Sequence, residues 1–315
     1  MTIPLGRPGA HAHAHAPDPS VPDRSSADRP SPEAVRAEWD ALAAEFDRFT
    51  TPHTLLFGER LVERAAVGVG TRFLDVAAGS GALALPAARR GADVVAVDIS
   101  PAMVERLAAR ARGSERVRAL VMDGEHLDLA DDSFDVSASL NGVSLFPDLR
   151  RGLAELVRVT RPGGTVLVAA FGPPQGAEFI AWTVQAIRAA VPGAAPLPAD
   201  PPPLPFRLAD PDRFAALLRA AGLTGVRVRA EVLDTAFASA GELLDTVRSS
   251  NPVGARWITG LTARQAAEVR QILDGMLRER SGGRPGAVLH AGMNVGTGTV
   301  ASAAAASPDR PDPAG

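Results

Sequence analysis

The chain has 315 residues, 46% of them hydrophobic, enough to bury a substantial core in one large domain or in one domain with a smaller lobe. A net charge of -3 and a pI near 6.1 set up no overall basic field, so nothing argues for nucleic acid as a partner. Every one of the 33 Lys-or-Arg positions is Arg, and Cys and Tyr are absent, which excludes a Schiff-base lysine, disulfides, thiolate metal sites and cysteine nucleophiles.

Residues 1 to 30 are rich in Pro, Ala, Asp and His and lack an apolar run, so neither a signal peptide nor a membrane anchor is read there and a cytoplasmic location is expected. His11, His13 and His15 alternate with Ala, a pattern able to bind a divalent metal, but the flanking prolines favour a disordered, low-complexity tail. No metal is expected in the folded part. The stretch from Ser302 to Gly315 reads as a second tail. Order is expected from Ser31, where an N-cap and Pro32 open a helix whose Val35, Trp39, Leu42 and Phe46 share one face. A second helical pattern spans about His53 to Ala66. Both helices either pack on the core or fold over a ligand mouth, and in the latter case they supply Trp39, Phe46 and His53 to a pocket.

From Thr71 strands and helices alternate, the pattern of a parallel sheet covered on both faces. Strands are expected over Phe73 to Ala77, Asp93 to Asp98, Val117 to Met122, Phe134 to Leu140 and Thr165 to Ala170. Ser100-Pro101 caps the helix after the second, another helix runs from about Leu149 to Val159, and Arg161-Pro162-Gly163-Gly164 turns the chain into the fifth strand. A helix over about Glu178 to Ala190 then leads into a proline-dense stretch from Pro192 to Pro205 that regular structure does not accommodate. Residues 173 to 207 read either as a substrate lid, with Phe179 and Trp182 as wall residues, or as a variable linker. The remainder returns to the sheet: a helix from Asp210 to Ala221, a sixth strand over Gly225 to Val232, helices around Ser239 to Ser249 and Thr262 to Arg280, and a last strand over Ala287 to Val300.

In an open parallel sheet, ligands sit outside the carboxyl ends of the strands, which directs attention to Asp75 to Gly81, Asp98, Asp123-Gly124 and Asn141-Gly142. Gly79, Ser80 and Gly81 form a turn that lets a ligand approach the backbone, next to the free N–H groups of a helix start. Asp98 is placed to accept both hydrogen bonds of a ribose diol, so the ligand is adenosine-like. Gly79 to Ala84 also satisfies the G-x-G-x-x-A pattern of a dinucleotide site. Charge favours S-adenosylmethionine over a dinucleotide: Asp75 at the turn would repel a pyrophosphate and attract an ammonium and a sulfonium. Asp75 has a plainer reading too, as a carboxylate capping the turn through backbone N–H groups.

Leu74-Asp75-Val76-Ala77-Ala78-Gly79-Ser80-Gly81, Val97-Asp98-Ile99-Ser100-Pro101-Ala102-Met103, Asp123-Gly124, Asp132-Ser133-Phe134-Asp135 and Arg158 to Gly164 together resemble the successive motifs of class I S-adenosylmethionine-dependent methyltransferases, in particular those of quinone biosynthesis and natural products. The resemblance covers about residues 70 to 172. It implies a Rossmann-like, doubly wound α/β fold: a seven-stranded sheet, mostly parallel with the last strand antiparallel between the fifth and sixth, plus N-terminal helices and an insertion after strand five. The domain would run from 31 to 301, with a helical cap to 70 and the cofactor core to 172. It further implies that the Asp75 to Gly81 turn wraps the methionine part, that Asp98 binds the ribose and Ile99 packs on adenine beside Met103, that Asp123 accepts from the adenine amine with Gly124 adjoining, and that Leu140 and Asn141 line the methyl-donor end. Ala77 departs from the family pattern, standing where its first glycine usually is.

The implied reaction is methyl transfer to a small-molecule O-, N- or C-nucleophile, a secondary metabolite or quinone-like compound. Such a displacement chiefly needs alignment and exclusion of water, and a base only if the acceptor must lose a proton. The sequence leaves that base open, with His53 as a candidate and His126 in the loop after Asp123 as another. Two other readings remain: a protein that binds S-adenosylmethionine without transferring its methyl group, and a nicotinamide-dependent oxidoreductase. The oligomeric state, monomer or homodimer, is not legible.

Overall fold

The computed structural model describes residues 29–195, 197 and 201–302. The alternating histidines and nearly all of both expected tails lie outside the described residues.

Helix α1, Pro32–Glu45, begins where expected: the Ser31 side chain accepts from the Ala34 N–H at 3.3 Å and Pro32 occupies the first turn. It passes through a π-helical turn, Phe46–Thr50, into α2, Thr51–Arg64. The two expected helices are thus one irregular rod, and Pro52 explains its irregularity. Proline has no N–H to donate and its ring would collide with the carbonyl four residues back, so the wider turn takes up the mismatch.

Seven strands follow: β1 Arg72–Val76, β2 Asp93–Asp98, β3 Val117–Val121, β4 Phe134–Leu140, β5 Thr160–Phe171, β6 Leu223–Phe237 and β7 Ala287–Val300. They form one sheet in the order β3-β2-β1-β4-β5-β7-β6, with β7 antiparallel to both neighbours and the other adjacent pairs parallel. This is the expected architecture. The helices between strands are α3 Ala84–Arg89, α4 Pro101–Arg110, α5 Leu149–Val159, α6 Glu178–Ala190 and α7 Pro211–Ala220, while α8 Ala240–Ser250, α9 Pro252–Thr259 and α10 Ala263–Arg280 fill the connection from β6 to β7. Successive strand residues enter different cores: Phe73, Leu167 and Ala169 pack with Phe57, Phe179 and Leu273 on one face, and Leu74, Val166 and Val168 with Leu153, Phe214 and Leu218 on the other. Burial on both faces is why the strands read as unbroken apolar runs.

Several elements differ from expectation. β5 begins at Thr160, so Arg161-Pro162-Gly163-Gly164 lie within the strand rather than in a turn before it. β6 runs five residues further, to Phe237, because Leu233, Thr235 and Phe237 are buried while Asp234 and Ala236 face out. That one-sided alternation belongs to an antiparallel pair, here with β7, and it carries polar residues an apolar run would lack. The α9 helix was not anticipated; Asn251 caps it, its Oδ1 accepting from Val253 N and Gly254 N at 3.0 Å each. Among its described residues the proline-dense segment forms a turn at Pro192 and Gly193, closed by Ala194 N donating to the Val191 carbonyl at 3.1 Å, and a short helical turn, Leu204–Phe206, with Pro205 and Phe206 buried.

Candidate active site

The chain leaves β1 through three left-handed residues, Ala77 (φ 57°), Gly79 (φ 53°) and Gly81 (φ 105°), before α3 begins. The strand therefore stops at Val76 rather than Ala77. Only glycine takes this conformation freely, so an alanine at 77 holds a backbone shape that its family pattern gives to glycine. The Asp75 carboxylate lies beneath the turn, essentially without exposure, and its Oδ2 accepts from Ala84 N at 2.9 Å. Burial pushes its pKa up to about 8, opposed by backbone hydrogen bonds and reinforced by the charge of Asp98, so at neutral pH it holds a proton. This corrects the electrostatic argument drawn from the sequence: Asp75 neither borders the ligand cavity nor projects a negative charge into it, and the capping role is the one the geometry displays.

Asp98 takes over the role that charge assigned to Asp75. At the end of β2 its Oδ2 accepts from Gly79 N at 2.8 Å and its Oδ1 from Ser100 N at 2.9 Å, which ties the glycine turn to the start of α4. Burial raises its pKa to about 6 against those hydrogen bonds, leaving it ionised at neutral pH. After β3, the Asp123 Oδ1 accepts from Glu125 N at 2.9 Å. Burial raises the pKa of Glu125.

The helical rod closes over the turn. A β-carbon on Gly79 would stand 3.1 Å from the Phe46 ring, and the Thr51 and Ser80 hydroxyls meet at 2.5 Å in a buried hydrogen bond. Trp39 packs edge-on against Phe46, ring centroids 6.1 Å apart. Asp40 of α1 accepts from Ser100 Oγ at 2.5 Å and Ala102 N at 3.2 Å.

Between rod and sheet lies one elongated cavity. Of the residues singled out from sequence, Ala77, Gly79, Asp98, Ile99, Met103, Asp123, Gly124, Leu140 and Asn141 line it, together with Trp39, Phe46, His53 and Phe179. Asp75, Ser80 and Gly81 support it from behind, and Trp182 is turned onto the core. His126 is at the rim, 3.5 Å from Asp123. Gly124 and Gly142 keep the floor open: a β-carbon at 124 would lie 2.4 Å from the Phe146 ring, and one at 142 lies 2.4 Å from the Ala77 methyl.

Sequence reasoning missed the far end, where Thr50, Thr54, Leu233, Thr235, Thr246 and Ser250 join the lining. A usable signal existed: Thr50 with Thr54 and Thr246 with Ser250 are spaced four apart, which puts each pair on one helical face. Thr246 Oγ1 and Asn141 Oδ1 are buried with no protein hydrogen-bond partner.

These features define a protein that holds an adenosine-type ligand at the carboxyl edge of a Rossmann-like sheet. Residues 74–168 match the family model described as a methyltransferase domain. An uncharacterised protein of Mycobacterium tuberculosis is 44% identical over 110 residues, which are 35% of this chain and 40% of that protein, so the chain spans well under half the length of that relative. The demethylmenaquinone methyltransferase of Mycolicibacterium paratuberculosis is 32% identical over 212 residues, 63% of this chain and 89% of that protein. The YcgJ protein of Bacillus subtilis has a similar fold, with a TM-score of 0.52 at 20% identity over 79% of this chain and 99% of the other. The chain belongs to the class I S-adenosylmethionine-dependent methyltransferases.

The residues present fit that cofactor. S-adenosylmethionine offers hydrogen-bond donors in its ribose diol, adenine amine and ammonium, and the cavity offers acceptors: Asp98, Asp123 and the unpartnered Asn141 Oδ1. The acids Asp98, Asp123 and Glu125 also suit a cation better than a pyrophosphate. When bound, the cofactor supplies an electrophilic methyl group on a sulfonium. The residues that would hold it are Asp98, placed to accept from the ribose diol, and the backbone at Gly79, with Trp39 and Phe46 lining the cavity beside them.

Among the described residues no helix is long and apolar enough to cross a membrane, and no group of three His, Asp or Glu is placed to hold a metal ion.

Proposed function

We propose that this protein transfers the methyl group of S-adenosylmethionine to a small-molecule acceptor, a secondary metabolite or quinone-like compound. The observation that carries this reading is that one cavity is lined both by the acids beside the glycine turn and by Phe171, Phe179, Pro205 and hydroxyls of α2, β6 and α8. A binding protein that transfers nothing has no need of lining beyond what the cofactor itself touches. The quinone-like class draws support from the relatives named as demethylmenaquinone methyltransferases. Phe179 and Pro205 belong to the segment 173 to 207, which on this reading is the substrate lid.

Titration with S-adenosylmethionine, S-adenosylhomocysteine and NADH, followed by a labelled-methyl assay on extracts of the source organism, tests the reading. We expect saturable binding of the first two and label incorporated into a small organic product. Binding of NADH alone would sink it, and tight cofactor binding with no labelled product from any extract would point to the non-transferring alternative.

A further inference from the structure

A serine or threonine hydroxyl has one proton to donate, and the hydroxyls around α8 differ in where that proton goes. Thr54 Oγ1 donates to the carbonyls of Thr50 and Thr51 at 3.3 and 3.2 Å, and Ser250 Oγ donates to Val247 O at 2.9 Å. Ser249 Oγ donates to Thr246 O at 3.2 Å, so the 3.0 Å contact between the Thr50 and Ser249 hydroxyls is closed by the proton of Thr50. Thr246 breaks the pattern. It lines the cavity with Thr50, Thr54 and Ser250, yet its Oγ1 is buried and has no partner in the protein.

That hydroxyl is fixed before any ligand arrives. It belongs to the face of α8 that also buries Leu243 and Val247 in the core. Ser239 Oγ opens the helix by accepting from Glu242 N at 3.2 Å, and the helix is tied to the rod by the Thr50–Ser249 bond and by Arg248 on Glu45 at 2.8 Å. The residues read as facing the cofactor, Ala77 to Asn141, lie within residues 74–168, at the ends of β1 to β4. Thr246 lies outside that segment, in the connection from β6 to β7. A buried donor left unpaired costs stability, which an oxygen brought in by the second substrate would restore.

The charges nearby define that oxygen. Arg29 is the one arginine among the described lining residues, and Asp148 holds it at 2.8 Å. Arg248, two residues along α8, is occupied by Glu45 and Asp245. A carboxylate at Thr246 would thus meet no uncommitted cation among the described lining residues, and burying an unpaired charge is costly. A carbonyl carries no charge, accepts a hydrogen bond and asks for no acceptor in return.

We infer, resting on the methyl-transfer reading above, that Thr246 Oγ1 donates a hydrogen bond to a carbonyl oxygen of the acceptor and so selects acceptors that carry an uncharged carbonyl group. Thr246 is then a specificity-determining residue, remote in sequence from the cofactor motifs.

The test uses two phenols that differ in one group: 6-hydroxy-1-tetralone and 5,6,7,8-tetrahydro-2-naphthol, which has a methylene in place of the carbonyl. In slightly acid buffer, where both are un-ionised, and with S-adenosylhomocysteine saturating, calorimetry should show the ketone binding about three- to tenfold more tightly, the worth of one hydrogen bond. Thr246→Val should abolish the preference, Thr246→Ser should retain it, and both variants should bind S-adenosylhomocysteine as the wild type does. Thr246→Ala supplies a second hydroxyl-free variant should Thr246→Val fail to fold. The inference is overturned if the wild type does not prefer the ketone, or if the hydroxyl-free variant keeps the preference. It is overturned too if that variant loses affinity for S-adenosylhomocysteine, since the hydroxyl would then serve the cofactor. Failure of the wild type to bind S-adenosylhomocysteine overturns instead the methyl-transfer reading beneath it.

Discussion

The two ends of the cavity are built on different principles. At the cofactor end, side chains are held by the backbone they serve: Asp98 grips two N–H groups, Asp123 one, and the glycine turn hangs between β1 and α3. At the far end the polar groups are hydroxyls on α2, β6 and α8, and one of them, Thr246 Oγ1, has no protein partner at all. Each end also keeps one buried polar oxygen without a protein partner, Asn141 Oδ1 at the cofactor end and Thr246 Oγ1 at the far end, and that unspent hydrogen-bonding capacity marks where each ligand is expected.

The largest expected effect separates two acids of the cofactor end, only one of which faces the ligand. Asp75 has a folded-state pKa of about 8, above its unfolded value of 3.8, so the folded protein keeps a proton that the unfolded chain releases. Its contribution to stability is fully present below the unfolded value and is lost as pH rises toward 8, at about 1.4 kcal/mol per pH unit. Asp75→Asn keeps an acceptor for Ala84 N and removes this dependence. Urea unfolding at pH 5 and pH 8 should therefore differ by several kcal/mol less in the variant, with cofactor affinity nearly unchanged. A wild-type slope retained in the variant would show that Asp75 is not the proton holder. Asp98 adds a slope of the same sign between 3.8 and about 6, which the variant retains.

Asp98→Ala has the next largest effect and the opposite signature. It strips acceptors from the N–H groups of Gly79 and Ser100 as well as from the cofactor, so S-adenosylmethionine binding should weaken by about 1–3 kcal/mol. Equilibrium dialysis checks this, and unchanged affinity would remove Asp98 as the ribose ligand. Together the two variants ask whether the acid beneath the turn and the acid beside it divide structure from binding.

The cofactor end was legible in the sequence because strand ends, glycines and acids follow one another in chain order there. What escaped was orientation: Asp75 and Asp98 both end apolar runs, and only the fold shows the first directed under the turn and the second beside it. The far end gathers Thr50, Thr235 and Thr246 from positions nearly two hundred residues apart, and hydroxyls on helices carry no motif. β6 escaped for a related reason, since its last residues alternate between core and solvent and so break the apolar pattern used to delimit it. Sequence order exposes sites built from consecutive strand ends and hides sites assembled across the sheet.

Thr246→Val probes the far end with a smaller effect. The swap keeps the shape and removes a buried hydroxyl that no protein group satisfies, so the ligand-free protein should gain up to about 1 kcal/mol, read as a higher unfolding midpoint. Cofactor affinity should stay the same while KM for the acceptor rises several-fold. A cofactor affinity that falls along with it would mean the two ends are not separable.

The smallest effect lies at the joint between the ends. Ala77 holds φ at 57°, which costs an L-residue roughly 1–2 kcal/mol, while glycine there would give back roughly 0.5–1 kcal/mol through the freer unfolded chain. Ala77→Gly should thus stabilise by up to about 1 kcal/mol. Its methyl also occupies the space a β-carbon at position 142 would need, 2.4 Å away, although Ser139 Oγ crowds the same space at 2.7 Å. Gly142→Ala alone should be destabilising by about 1–3 kcal/mol from overpacking, and in the Ala77→Gly background by less. A double-mutant cycle followed by urea unfolding measures that difference, and strict additivity would show that the two residues do not share the wall between donor and acceptor.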